Sequence, residues 1–165
     1  MITLYLDMDG VLADFHKAYT KFDPNKDDRR KFRASVMEYK IFEDLDFMPD
    51  TQELLNHVAK LRGINIEILT SMGTHDPFQG EEAKRQKLLW LKKKNIPYKA
   101  NFVRSKEEKA QYATPESILI DDSVGCIAPF IRKGGNGILH KHSSETIAIL
   151  DSLILQIHAL GALRS

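Results

Sequence analysis

Two aspartates two residues apart, Asp7 and Asp9, close a short apolar run in the stretch ITLYLDMDGVLADF. On a continuing strand, side chains at i and i+2 point the same way. Two carboxylates there crowd each other unless a cation lies between them. Gly10 follows at once and lets the chain turn sharply after the second acid. Asp and Gly also end many strands as plain turn residues, so this stretch alone leaves both readings open. A second acidic pair, Asp121 and Asp122, ends another apolar run, ILIDDS. Charges beside buried backbone are hard to explain as a mere turn. Thr70 and Ser71 end a third run, INIEILTSMG, and their hydroxyls and backbone N–H groups can hydrogen-bond a phosphoryl oxygen.

Periodicity shows what must position these groups. Ile2, Leu4, Tyr5 and Leu6 make a buried strand, and further strands are expected at 64–69, 100–104, 117–122 and 137–140. Helices are expected between them. One spans 14–22, and the turn-rich segment 23–28 separates it from a second at 29–39, with Phe32, Val36 and Tyr39 on one face. Another spans 50–62, with Asp50 as its cap and Gly63 as its stop. A basic helix follows at 81–94, a short one at 105–113, and a helix start at 124–133 that Pro129 interrupts. Ser143 or Ser144 can cap a last helix whose Ile147, Leu150, Ile154 and Ile157 share a face, free to cover the sheet or to join two subunits.

Strands alternating with helices predict an α/β fold, a Rossmann-like open parallel sheet of about five strands flanked by helices. Asp7, Thr70 and Asp121 then share the strand-end edge where such sheets place ligands. The 165 residues read as one domain, with a core at about 1–14 and 49–165 and a small helical cap inserted at about 15–48, after the first strand.

Composition sets limits. A net charge of +1 argues against a surface that coats nucleic acid. The single Cys126 excludes an internal disulfide and a Cys-based zinc site, and fits a reducing compartment. The N-terminus reaches Asp7 with no room for a secretory signal, and 147–163 carries Asp151, Gln156 and His158, so no membrane span is expected. The expectation is a cytoplasmic monomer or homodimer. Four acids converging on one edge call for a hard divalent cation, and Mg2+ suits them.

DMDGVLADF resembles the first motif of the haloacid dehalogenase superfamily, and within it most closely the 5′(3′)-deoxyribonucleotidase-like phosphatases. The resemblance requires a Thr or Ser ending a second strand, then a Lys, then an acidic pair. Thr70, Lys109 (in a Lys-x-x-Tyr-Ala segment similar to the family's) and Asp121-Asp122 stand in that order. It implies a Mg2+-dependent phosphatase in which Asp7 is the nucleophile that becomes an aspartyl-phosphate and Asp9 is general acid and base. It also implies that Asp7, the carbonyl of Asp9 and Asp122 hold the metal, with Asp121 a further or alternate ligand. Thr70, Ser71 and Lys109 would hold the phosphoryl group, and Phe15 would stack on a base. Lys106 is the near competitor for the lysine, and Lys87, three residues before Trp90 in a Lys-x-x-Trp similar to the family's, the distant one. The transport ATPases of the superfamily have Thr in place of Asp9, and the dehalogenases lack this acid, so Asp9 favours a phosphatase or phosphomutase.

The implied substrate is a small phosphate monoester, first of all a nucleoside monophosphate, although the cap carries none of the tryptophans expected of the closest nucleotidases. The basic run at 84–104 supports an alternative, a 3′-phosphatase on nucleic-acid ends, unless it is simply a solvated helix face. A third reading is a phospholigand-binding protein of the same fold without turnover, for which a general acid at Asp9 has no use. His75, alone on a loop, is either solvated or a substrate contact.

Overall fold

Leu4 and Leu6 point to one side of the first strand and Tyr5 to the other, and the layers of the molecule follow from that alternation. The structure is a computed structural model and describes residues 1–22 and 27–164. Most of the turn expected at 23–28 therefore lies outside the described residues.

Five strands, β1 (Ile2–Leu6), β2 (Ile64–Ser71), β3 (Lys99–Val103), β4 (Ser117–Asp121) and β5 (Asn136–Leu139), form one parallel sheet in the order β3-β2-β1-β4-β5. The helices are α1 (Phe15–Tyr19), α2 (Asp28–Met37), α3 (Thr51–Val58), α4 (Pro77–Lys93), α5 (Val124–Arg132) and α6 (Ser143–Arg164), with 3-10 turns at Ile41–Glu43 and Glu107–Tyr112. Ile2, Leu4, Leu6, Ile68, Ile118 and Ile120 pack with Leu54, Val58, Leu91 and Leu150 on one face. Leu69 and Leu119, with Tyr5 beside them, pack against Cys126, Ile127 and Phe130 of α5 on the other. The expected α/β architecture is the one observed. Chain order runs outward in both directions from β1, so the switch point lies between β1 and β4, where the first acidic motif faces the second.

Several boundaries differ for local reasons. Helix α4 begins at Pro77 rather than 81 because Asp76 caps it, accepting from Gln79 N at 2.8 Å, with Pro77 in the first turn. Helix α1 stops at Tyr19 because Lys21 N and Phe22 N bond back only three residues, to Ala18 and Tyr19. Pro129 does not interrupt α5, which runs through it to Arg132. Asp50 precedes α3 but makes no side-chain cap there. Its Oδ2 accepts from Ser143 N at 2.6 Å while Ser143 Oγ donates to its carbonyl at 2.9 Å, so it anchors the start of α6 instead.

The expected stripe of α6 covers α3 and β5, with Leu150 and Ile157 buried and Ile147 and Ile154 partly so. Its length and apolar composition would by themselves suit a bilayer. Its polar Asp151, however, pairs with His57 of α3 at 2.8 Å.

Residues 15–48 hold α1, α2 and the first 3-10 turn, and α4 fastens them to the sheet. Gln86 Nε2 donates to Val36 O at 2.8 Å, and its Oε1 accepts from Phe42 N at 3.2 Å. Trp90 Nε1 donates to Leu45 O at 2.7 Å, and Arg85 pairs with Glu43 at 2.6 Å.

Candidate active site

Beyond β1 the chain folds onto the carbonyl of Met8, which accepts from Val11, Leu12 and Ala13 at 3.2, 2.8 and 2.9 Å. Met8, Val11, Leu12 and Ala13 are buried, so this loop is part of the core and holds the acids on either side of Met8 in place. Gly10 has φ +89°, and a Cβ there would lie 2.1 Å from Asp122 Oδ2. Only glycine lets the second acidic motif close over the first.

Strand alternation sends the polar groups to opposite faces. Asp7 shares the parity of Tyr5, and Asp121 that of Leu119, so both meet the face carrying α5 and the second 3-10 turn. There the buried Lys109 donates to Asp7 Oδ1 at 2.9 Å and to Asp121 Oδ2 at 2.7 Å. Thr70 shares the parity of Ile68 and faces α4. There Lys87, wholly buried, donates to Thr70 Oγ1 at 2.8 Å, to Ser71 O at 2.8 Å and to Asp9 Oδ2 at 2.9 Å. Its ammonium also lies 4.6 Å from the centre of the Phe42 ring. All three Lys87 protons are thus engaged, whereas Lys109 keeps one for another partner.

The electrostatics follow from burial. Burial pushes the Asp7 carboxyl up to about 8, with Lys109 opposing and Asp121 and Asp9 adding to the rise. Burial pulls Lys109 down, but the charges of Asp7 and Asp121 outweigh it and hold the ammonium well above its ordinary range. Burial, reinforced by Asp121, raises Asp122 too.

Carboxylate oxygens of Asp7, Asp121 and Asp122 all lie within 4.8 Å of one another. An all-oxygen, all-anionic set, two of whose members are buried, fits a hard divalent cation of the Mg2+ type. The Asp9 carboxylate stands outside this cluster, on Lys87, and its buried Oδ1 has no hydrogen-bond partner among the described residues.

A cavity of about 700 Å3 opens above these groups. Its lining includes Asp7, Asp9, Asp121 and Asp122, the aromatic residues Phe15, Phe32 and Phe42, and Ser71, Arg104 and Lys106. Phe15 is stacked on both Tyr19 (4.9 Å, 20°) and Phe42 (5.3 Å, 15°). Its ring is therefore the middle of a column, and its edge rather than an open face is left to the cavity. Ser71 Oγ is held locally, accepting from Gly73 N at 3.0 Å and donating to Arg104 O at 3.3 Å. Phe32 reaches across from α2 to Gly73, where a Cβ would sit 2.9 Å from its ring.

Of the expected site residues, Asp7, Asp9, Ser71, Lys109, Asp121, Asp122 and Phe15 line this one cavity, and Thr70 lies directly behind it on Lys87. Lys106 stands on the rim, 3.3 Å from Ser123 Oγ, and His75 also lines the wall. Sequence reasoning missed Gln86, Phe42, His16 and Arg104 as parts of the site or its frame. Gln86 had a signal: with Ala83, Lys87 and Trp90 it occupies the buried stripe of a helix otherwise rich in charge.

The five-stranded parallel sheet flanked by helices is a fold this chain shares with solved hydrolases. Among solved structures, the chain is similar to a haloacid dehalogenase-like family hydrolase from Xanthomonas campestris (13% identity, TM-score 0.60, 96% of this chain and 98% of that one). It is also similar to a hydrolase from Streptococcus pneumoniae (15%, 0.56, 90% and 97%) and to the D,D-heptose 1,7-bisphosphate phosphatase of Burkholderia thailandensis (12%, 0.52, 90% and 85%). No family model and no curated protein matches the sequence.

Proposed function

We propose that the chain is a Mg2+-dependent phosphatase that hydrolyses phosphate monoesters through an aspartyl-phosphate, acting on nucleoside monophosphates and deoxynucleotides first. The observation that carries the reading is the division of the first motif, with Asp7 bound by Lys109 on one face of the sheet and Asp9 by Lys87 on the other. Asp7, Asp121 and Asp122, with the carbonyl of Asp9, would hold the metal. A bound divalent cation keeps Asp7 ionised and offsets the charge of the incoming phosphate dianion.

Asp7 attacks phosphorus through a carboxylate oxygen, and the bond from phosphorus to the ester oxygen breaks. Asp9 gives its proton to that departing oxygen, then takes one from the water that hydrolyses the aspartyl-phosphate. Lys109, with an ammonium proton to spare, and the Thr70 hydroxyl hold the phosphoryl oxygens, and Ser71 joins them when its Oγ turns from the Arg104 carbonyl. Lys87 has none to spare and acts by fixing Asp9 and Thr70. The Phe15 column and Phe32 offer the leaving group an apolar wall that suits a base.

Phosphate release from a panel of nucleotides and sugar phosphates tests this. Deoxynucleotides should be turned over best, and better turnover of sugar phosphates than of any nucleotide would remove the nucleotide assignment. The basic run gives the nucleic-acid-end alternative little support. Of residues 84–104, Arg104 is the one basic group lining the cavity, while Lys93 pairs with Asp44 and Lys84 and Lys94 lie over Phe102 and Phe47.

A further inference from the structure

Arg104 is the first residue beyond β3, and the β2–β3 register sets Val103 beside Ser71. Ser71 Oγ donates to the Arg104 carbonyl, so this arginine is tied to the strand end assigned above to the phosphoryl group. Lys106 stands two residues on, its ammonium 3.3 Å from Ser123 Oγ and next in sequence to Asp122. Both side chains are exposed and line the cavity. Lys17, Lys40, Arg85 and Lys93 all have carboxylate partners on the surface. The Arg104 guanidinium and the Lys106 ammonium have none within 4.0 Å among the described residues, although Glu108 accepts from the Arg104 backbone N at 2.9 Å and Glu107 lines the same cavity.

Of the other cations of the site, Lys87 has every proton engaged, on Asp9, Thr70 and Ser71, and Lys109, held by Asp7 and Asp121, keeps one proton for the first phosphoryl group. A substrate with one phosphate is served by the acids, Lys109 and the aromatic residues, and leaves the exposed Arg104 and Lys106 of the cavity lining with no group of the substrate to hold. We propose that the substrate carries a second phosphoryl group, held by Arg104 and Lys106 while the first is hydrolysed over Asp7. The inference rests on the phosphatase reading and replaces its monophosphate substrate with one that carries two phosphoryl groups. Guanidinium presents a planar fork that matches phosphate oxygens, and an ammonium adds a point charge beside it. The second group is either a phosphate of the same small molecule or the next phosphodiester of a nucleic-acid end.

The test compares kcat/KM for deoxyadenosine 5′-monophosphate, deoxyadenosine 3′,5′-bisphosphate and a 3′-phosphorylated dinucleotide, in native protein and in Arg104→Gln/Lys106→Gln. The account expects at least one of the two-phosphate substrates to be favoured over the monophosphate by about tenfold or more, a preference the double variant loses. Preference for the bisphosphate alone assigns a small molecule, and preference for the dinucleotide as well assigns a nucleic-acid end. Equal kcat/KM on all three, or an equal loss on all three in the variant, would overturn the proposal. Calorimetric binding of the same compounds to Asp7→Asn, which cannot form the aspartyl-phosphate, separates the two claims. If the native protein turns over none of these compounds, yet the bisphosphate or the dinucleotide binds about tenfold tighter than the monophosphate and the double substitution abolishes the difference, the phosphatase reading fails and the subsite stands. Equal binding of all three compounds would overturn the subsite whatever the turnover.

Discussion

Lys87 reaches Asp9 from the α4 side of the sheet, with its Nζ 2.9 Å from Asp9 Oδ2 and its side chain fully enclosed. Asp7, two residues earlier, is met from the α5 side by Lys109 at the same distance. Neighbouring acids of one short motif are thus held by lysines from two different crossovers. Under the proposed mechanism, these distinct surroundings would let one carboxylate serve as nucleophile and the other as proton carrier.

Replacing Lys87 should show what that clamp is worth. Lys87→Met leaves Asp9 and Thr70 without their shared donor and should cost about 3–5 kcal/mol in unfolding by urea, with loss of most phosphatase activity. Lys87→Met combined with Asp9→Asn should recover part of the stability and none of the activity. A single variant that unfolds like the native protein would show that the lysine does not hold the site.

Gly10→Ala puts a methyl group where the Asp122 carboxylate lies, at a positive φ that costs a side chain about 1–2 kcal/mol by itself. The acidic cluster must open to admit it. Mg2+ binding followed by calorimetry should weaken by about tenfold or more, corresponding to about 1.4 kcal/mol. Unchanged affinity would place the metal elsewhere.

The elevated Asp7 gives the metal-free protein a pH signature. Burial raises this carboxyl from 3.8 to about 8, so between those values the fold holds a proton that the unfolded chain has released. Its contribution to stability therefore falls as pH rises across that window. Mg2+ must displace the same proton, so its affinity should rise with pH up to about 8 and then level off. Urea unfolding at a series of pH values, in chelator and in Mg2+, measures both slopes. A Mg2+ affinity flat across the window would contradict the assignment of Asp7 as ligand.

Much of this was legible in the residues. Alternating apolar runs that end in DMDG, TSMG and DDS fixed the strands, their common edge and the acids, because strand parity and parallel topology leave little freedom. The lysines were harder. Lys109 and Lys87 are spread through helical segments rich in surface lysines, and only packing shows which of those long side chains turns inward. Arg104 looked like the tail of a strand, since its value depends on β2 lying beside β3. Phe15 was visible as an aromatic near the acids, but its stacking between Tyr19 and Phe42 is tertiary. Asp50 had the right residue type for a cap, and tertiary structure gave it a different helix to serve.

The central claim is that phosphate passes through Asp7 with Asp9 moving the proton. General acid and base help is worth about 10²–10⁴ in rate. Asp9→Asn should lose that much on an alkyl phosphate and less on p-nitrophenyl phosphate, whose leaving group needs little protonation. Where hydrolysis of the intermediate limits turnover, the phosphorylated form should accumulate.

The most direct measurement is an acid quench of Asp9→Asn protein with p-nitrophenyl phosphate and Mg2+, followed by peptide mass mapping. The account predicts a phosphoryl group on Asp7, and neither that adduct nor turnover in Asp7→Asn. Phosphate release near the native rate from Asp7→Asn, or a phosphoryl group on another residue, would contradict it.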